Sequence, residues 1–260
     1  MNKLFRTFFI FLLLLSTRTS FAASYELQSQ DKSDNYAVRP SLLKNLTGLN
    51  SILSHSNYIH RQTSSDLDAL YSQAQPAQDE LNLIIRKLTL NTSLIAALPP
   101  IKTHDRALNK ITTKFGGDAS QLTDLARASI IANNIQDLMH AYQALNEQTE
   151  LLQVKNRFVS PKQSGYRDLN VLIKLPHTKM IVEVQLHLND IAKIKNGSEH
   201  DNYKEVQSIM AAANSAKRDL FDTETARIIE LRQHSHKQYH KAWLNYKRID
   251  NAGLIPAIAA

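Results

Sequence analysis

The chain changes its hydrophobic period at Pro99-Pro100, and no other feature constrains the fold as much. Before that point, over residues 41–97, apolar side chains recur at three- and four-residue spacing, as in Leu67, Leu70 and Tyr71 and then Leu81, Leu83, Ile84, Ile85 and Leu88. Nothing there alternates, so the spacing predicts two or three helices, a helical region that closes by residue 98. The proline pair ends it, because the second proline disfavours helix in the residue before it and neither donates a backbone hydrogen bond. After the pair, period-two runs appear. Residues 126–132, 151–158, 166–175 and 180–188 read as strands, with one helix ahead of them over 102–115 and another over 135–145. Gly116-Gly117 turns the first helix toward the first strand, and Pro176-His177-Thr178-Lys179 is short enough to close a hairpin between the last two strands. The order helix, strand, helix, strand, strand, strand over residues 99–205 describes a small mixed β-sheet of α+β or α/β class, flanked by N-terminal and C-terminal helices. From residue 206 to 260 the helical period returns nearly to Asp250, then a tail of small residues follows.

Composition narrows the remaining choices. With 260 residues, 43% of them apolar, the chain can bury a core for one good-sized domain or two small ones, and 6 Gly and 7 Pro leave room for few turns. The absence of cysteine excludes disulfides, a thiol nucleophile and thiolate metal sites together. At the N-terminus, Lys3 and Arg6 precede an apolar run from Phe8 to Leu15, and Ser20-Phe21-Ala22 offers small residues for cleavage. Residues 1–22 therefore read as a signal peptide, too short in its apolar part to span a bilayer, and residues 23–40 as a polar linker. The expectation is an exported protein, periplasmic or secreted. Removing the leader takes three of the seven surplus positive charges, and the mild remainder does not argue for nucleic acid.

Chemistry-bearing residues concentrate in the sheet region. Asp124 opens the first strand, and Glu183 interrupts the apolar run Met180-Ile181-Val182-Glu183-Val184-Gln185-Leu186-His187. Alternation puts Ile181, Glu183, Gln185 and His187 on one face and Val182, Val184 and Leu186 on the other. Phosphoryl and pyrophosphoryl transfer asks a protein for two things: carboxylates to hold a divalent metal, and fixed cations to neutralise phosphate oxygens. Lys102, Arg106, Lys110 and Lys114 recur every four residues along one side of a helix, as a linear polyphosphate requires. The segment His234-Ser235-His236-Lys237-Gln238-Tyr239-His240 carries no carboxylate at the spacing of helical zinc motifs and reads as an exposed helix face.

The segment Lys155-Asn156-Arg157-Phe158-Val159-Ser160-Pro161-Lys162-Gln163-Ser164-Gly165-Tyr166 resembles the basic loop of the RelA/SpoT synthetase family, in which a lysine-rich turn with Pro-Lys leads into Gly-Tyr. The Glu-x-Gln of that family follows one hairpin later as Glu183-Val184-Gln185, and the strand-opening aspartate and spaced cations stand in the family's order. The resemblance implies a nucleotidyltransferase-like pyrophosphokinase with ATP as co-substrate and Mg²⁺ as cofactor. Asp124 and Glu183 would bind the metal, with Glu183 also taking the proton of the attacking ribose hydroxyl. Lys102, Arg106, Lys110 and Lys114 would hold the triphosphate. Lys155, Arg157 and Lys162 would contact acceptor phosphates, Tyr166 would stack on the acceptor base, and Asn170, Gln185 and His187 would line the acceptor side. Two departures stand out. Asn170 occupies the place of a family histidine, and the usual Gly-x-Arg after the aspartate is missing, with Arg127 arriving early.

These departures leave the acceptor open among guanosine nucleotides, adenosine nucleotides and the 3′ end of tRNA. Nothing resembles the family's hydrolase domain, so synthesis alone is implied. Because ATP is scarce outside the cytoplasm, export fits an effector or toxin delivered to another cell. A catalytically silent domain of the same fold, binding nucleotide or a protein partner outside the cytoplasm, is the competing reading. An envelope-associated helical protein with an accidental likeness is the third. His200 and Tyr203 are expected to pack a closing helix over the site.

Overall fold

The computed structural model describes residues 43–54 and 58–254, so the signal peptide read over residues 1–22, the linker over 23–40 and the final residues of the tail lie outside the described residues. Two N-terminal helices come first. Helix α1 spans Leu46–Ser51, where Asn45 caps by accepting from the Gly48 N–H at 3.0 Å. Helix α2 spans Leu67–Thr89, capped by Asp66 and ending with Arg86 and Lys87 against its negative pole. A short strand β1, Ile95–Ala97, follows within the stretch that periodicity assigns to helix. Three residues are too few to show alternation, and β1 exists because it pairs antiparallel with a strand thirty residues later.

Next come α3 (His104–Lys114), a 3₁₀ turn at Ala119–Gln121, β2 (Arg127–Ala132), α4 (Ile135–Gln148), β3 (Glu150–Asn156), β4 (Leu169–Lys174) and β5 (Ile181–Leu188). Helix α5 (Asn189–Asn196) leaves β5 directly. Helices α6 (Glu199–Ser215) and α7 (Asp222–Leu254) form a C-terminal pair. The expected order after the prolines holds, with each strand start or end displaced by up to three residues. No described helix is long and apolar enough to cross a membrane.

The sheet order is β1-β2-β5-β4-β3, with β2 and β5 parallel and the other neighbours antiparallel. Its apolar face carries Ala128, Ile130, Val182, Val184, Leu186, Val171 and Ile173, all buried in one core with Leu138, Met139 and Tyr142 of α4 and Leu81 and Ile85 of α2. Each fully buried aliphatic side chain there contributes about 1.5–3 kcal/mol.

Two buried glutamines from the N-terminal region complete the central strands where the sheet ladder runs out. Gln78 accepts from the Arg127 N–H at 2.9 Å and donates to the Arg127 carbonyl at 3.1 Å, replacing the neighbour that β1 is too short to provide. Gln62 accepts from the Ile181 N–H at 3.0 Å and donates to the carbonyls of Ile181 and Leu122 at 2.8 and 3.0 Å. Buried backbone groups must find partners, and these amides satisfy them at the starts of β2 and β5. The strands that carry the polar row are thereby fixed at the end where Asp124 and Glu183 lie.

Candidate active site

Alternation along β5 leaves Glu183 and Gln185 half-buried between buried valines and leucines, on the face away from the α2 and α4 core. Register then assembles two rows across the sheet. Arg127 pairs with Glu183, and Glu183 with Leu172. Ser129 pairs with Gln185, Gln185 with Asn170, and Asn170 with Lys155. Gln185 donates to Glu183 Oε1 at 2.9 Å, so the amide fixes one carboxylate oxygen and leaves the other to a ligand.

Asp124 stands in the turn before β2 rather than on the strand. Lys102 Nζ and Lys110 Nζ both reach its Oδ2, at 2.7 and 2.9 Å. Burial alone would raise the Asp124 carboxyl, but the charges and hydrogen bonds of Lys110 and Lys102 bring it below the usual carboxylate range. The other oxygen, Oδ1, is buried and has no hydrogen-bond partner. The two lysines differ. The Lys102 side chain is 7% exposed, its N–H donates to the Leu125 carbonyl, and its own carbonyl accepts from the Tyr71 hydroxyl at 2.7 Å. Lys110, on the exposed side of α3, keeps 25% of its side chain in solvent and lies 5.3 Å from the Phe115 ring centroid. Arg106 and Lys114 lie one turn to either side of Lys110, both exposed.

The basic segment between β3 and β4 is a closed turn. The Arg157 N–H donates to the Asp168 carbonyl, Lys162 N–H to the Tyr166 carbonyl and Gly165 N–H to the Lys162 carbonyl. Gly165 adopts φ +79°, and its α-carbon lies so close to His236 that a side chain would collide. This turn presses Tyr166 into the protein. Its hydroxyl donates to Asp168 Oδ2 at 2.8 Å and lies 2.7 Å from His187 Nε2, while Arg157 Nη1 donates to Asp168 Oδ1 at 2.7 Å. Asp168 and His187 are almost fully enclosed. Burial pushes the Asp168 carboxyl up against the opposing pull of Arg157. It also holds His187 well below its ordinary value, helped by Lys195 and Arg157. The bonds are consistent with a neutral His187 whose Nε2–H donates to the tyrosine oxygen.

Most of the sequence-derived residues converge. Lys155 lies within the electrostatic reach of Glu183 and Lys110, and Lys162 within that of Glu183 and Lys114, so the basic turn faces both the Glu183 carboxylate and the cation stripe of α3. Some positions differ from expectation. Tyr166 precedes β4 and is 7% exposed, with Lys162 Nζ 5.2 Å and Lys195 Nζ 6.0 Å from its ring centroid and Tyr239 against its edge. His187 is enclosed beneath it. Asn170 is buried, and its Nδ2 has no partner. His200 and Tyr203 are exposed. The buried residue at the start of that helix is Glu199, which accepts from the buried Tyr239 hydroxyl at 2.9 Å.

Two residues that hold this polar corner together escaped the sequence. Asp168 sits two positions after Tyr166, and that spacing at a strand start was the available sign. Lys195 of α5 donates to Gln185 Oε1 at 2.8 Å and comes within 3.4 Å of His187. No local pattern marks it.

A divalent metal fits Asp124 by one test, since its buried Oδ1 is an acceptor without a donor. Among the described residues no three His, Cys, Asp or Glu side chains form a metal-binding group. Two carboxylates with substrate phosphates suit Mg²⁺, which keeps most of its ligands from water and phosphate.

Residues 101–208 match the model of a region found in RelA / SpoT proteins. No curated protein matches the chain. Among solved structures, the complex between the Type VI effector Tas1 and its immunity protein aligns at TM-score 0.50 and 19% identity, covering 68% of this chain and 96% of that one. A GTP pyrophosphokinase family protein from Streptococcus pneumoniae aligns at TM-score 0.50 and 15% identity, covering 75% of this chain and all of that one. At these identities the likeness is one of fold.

Proposed function

We propose, for a chain that carries a RelA/SpoT-family domain over residues 101–208, that it is an ATP-dependent pyrophosphokinase acting on a ribose hydroxyl of an acceptor nucleotide. One observation carries the reading: the lysines of the basic turn feel the half-buried Glu183 carboxylate on one side and the cation stripe of α3 on the other, Lys155 through Lys110 and Lys162 through Lys114. Eight cations gather around three carboxylates in this region (Lys102, Lys110, Lys114, Arg127, Lys155, Arg157, Lys162 and Lys195 around Asp124, Asp168 and Glu183). That excess suits two phosphate-bearing substrates.

The ribose oxygen forms a bond to the β-phosphorus as the bond from that phosphorus to the α,β-bridging oxygen breaks, and AMP leaves. Glu183 accepts the hydroxyl proton, placed by Gln185. Arg106, Lys110 and Lys114 neutralise the triphosphate, and Lys155, Arg157 and Lys162 hold the acceptor phosphates. Asp124 and Glu183 are the carboxylates that would hold Mg²⁺, which when bound draws charge from the phosphate oxygens. Tyr166 would receive the acceptor base once Lys162, an exposed side chain laid across its ring, lifts away.

The basic n-region and apolar run at the N-terminus support export, and the fold shared with a Type VI effector supports an effector acting in another cell. Guanosine and adenosine nucleotides and the 3′ end of tRNA are the acceptors to test. The test incubates the protein with ATP labelled in the β,γ-phosphates, Mg²⁺ and each acceptor. Labelled product and AMP should appear, and Glu183→Gln should slow transfer by about 10²–10⁴-fold. Absence of transfer to every acceptor, or a Glu183→Gln variant as fast as wild type, rejects the reading in favour of a silent binding domain.

A further inference from the structure

The corner at Asp124 holds more positive charge than one carboxylate requires. Both ammonium groups share Oδ2, while Oδ1, buried beside them, accepts nothing. An acceptor oxygen taken out of water without a donor is costly, and a ligand that completes it removes that cost. A bare divalent cation approaching Oδ1 meets two ammonium charges already bound to the same carboxylate, in a site where burial weakens screening. A triphosphate changes the balance, because it offers the lysines stronger anionic partners and brings most of the metal's oxygen ligands with it.

The two lysines are not equally able to move. Lys102 is enclosed, with its backbone tied to Leu125 and Tyr71. Lys110 is partly in solvent, on the same helix stripe as Arg106 and Lys114, and its aliphatic length allows it to leave Asp124 for a phosphate.

We propose that Lys110 is a placeholder for the metal at Asp124, so that this carboxylate takes a divalent cation only as its complex with a triphosphate, while Lys102 stays as the permanent counter-ion. The proposal rests on the pyrophosphokinase reading and adds the order of loading: nucleotide and metal enter together, and Lys110 passes from carboxylate to phosphate as they do. Lys102 is then a positioning residue for Asp124 and not a phosphate ligand.

Mn²⁺ is the probe, followed by the loss of its free-ion electron paramagnetic resonance signal, with α,β-methylene-ATP as the nucleotide that cannot react. The wild-type chain is expected to bind no Mn²⁺ at submillimolar concentration alone and one Mn²⁺ with the analogue. Lys110→Gln should bind one Mn²⁺ without nucleotide, about tenfold or more tighter than wild type, since one of two repelling charges is gone. Adding Asp124→Asn should abolish that binding. Lys110→Arg, which keeps the charge, should stay blind to Mn²⁺ alone. Wild-type protein that binds Mn²⁺ equally well with and without the analogue overturns the placeholder and leaves the pyrophosphokinase reading standing, and this arm needs no variant to fold. Lys110→Gln that melts like wild type yet gains no Mn²⁺ also overturns it. Failure of the analogue to bind at all, with or without Mn²⁺, removes both.

Discussion

Replacing Asp168 with leucine tests whether the corner around Tyr166 is held by charge or by packing. The carboxylate is fully enclosed and each oxygen has a single donor, Arg157 at 2.7 Å and the Tyr166 hydroxyl at 2.8 Å. Leucine is close in volume, so little cavity arises, and the cost comes from the groups left behind. Removing one partner of a buried pair costs about 3–5 kcal/mol. The Arg157 side chain is 19% exposed and can draw water, which places Asp168→Leu near the lower end. For a domain of this size, about 3 kcal/mol lowers the melting temperature by roughly 6–12 °C. The chain has one tryptophan, Trp243, buried against Phe158 with Arg167 over its ring, so its fluorescence reports on the same corner of the fold. Arg157→Met alone leaves the carboxylate stranded, while Asp168→Leu with Arg157→Met removes both charges. The double variant should therefore recover at least about 2 kcal/mol relative to the sum of the singles. Burial holds the folded Asp168 carboxyl above its unfolded value of 3.8. That component of stability is thus full below 3.8 and lost as pH rises through the raised value, and Asp168→Leu should remove it. Melting of Asp168→Leu within about 2 °C of wild type, or strict additivity with Arg157→Met, would refute the argument that this pair orders Tyr166.

Gly165→Ala should lower stability by about 1–2 kcal/mol from the left-handed backbone alone, and further because the new carbon would lie 3.1 Å from the His236 Cα; a melting temperature equal to wild type would contradict the close approach of α7. His187, held neutral by burial first and then by Lys195 and Arg157, should cost the fold about 1.4 kcal/mol per pH unit as pH falls below about 6.5, where only the unfolded chain takes up the proton. His187→Gln keeps a side-chain donor and should flatten denaturant midpoints measured between pH 6.5 and 5.5. An unchanged slope would place that pH dependence elsewhere.

How far the site was legible follows from how local each signal is. The alternation of β5 needs only eight consecutive residues, and it correctly separates Val182, Val184 and Leu186 from Glu183 and Gln185. The basic turn is equally local, because Gly165 and its neighbours close it within a dozen residues. Depth is another matter. Whether His187 at the end of the same row is open or enclosed depends on Tyr166 from one turn and Lys195 from the next helix. Whether Tyr166 is open depends in turn on Tyr239, seventy-three positions away on α7. Strand β1 and the amides of Gln62 and Gln78 were hidden for the same reason, since each acts by pairing with backbone far along the chain.

Asp168, Asn170 and His187 belong to one polar corner, which gives them more weight together than singly. Asp168 supplies the acceptor for the Tyr166 hydroxyl, whose oxygen lies 2.7 Å from His187 Nε2. Asn170, in the row beside Gln185, keeps Nδ2 without a partner. A charged side chain at 187 would meet Lys195 and Arg157, whose positive charges already oppose protonation there. An acid at 168 offsets those charges and lets the row hold Lys195 close to Gln185. Beyond the second oxygen of Glu183, the group this corner leaves without a partner is a donor, Asn170 Nδ2, with Lys155 paired beside it. A ligand seated against Asn170 and Lys155 would have to present hydrogen-bond acceptors and negative charge to them.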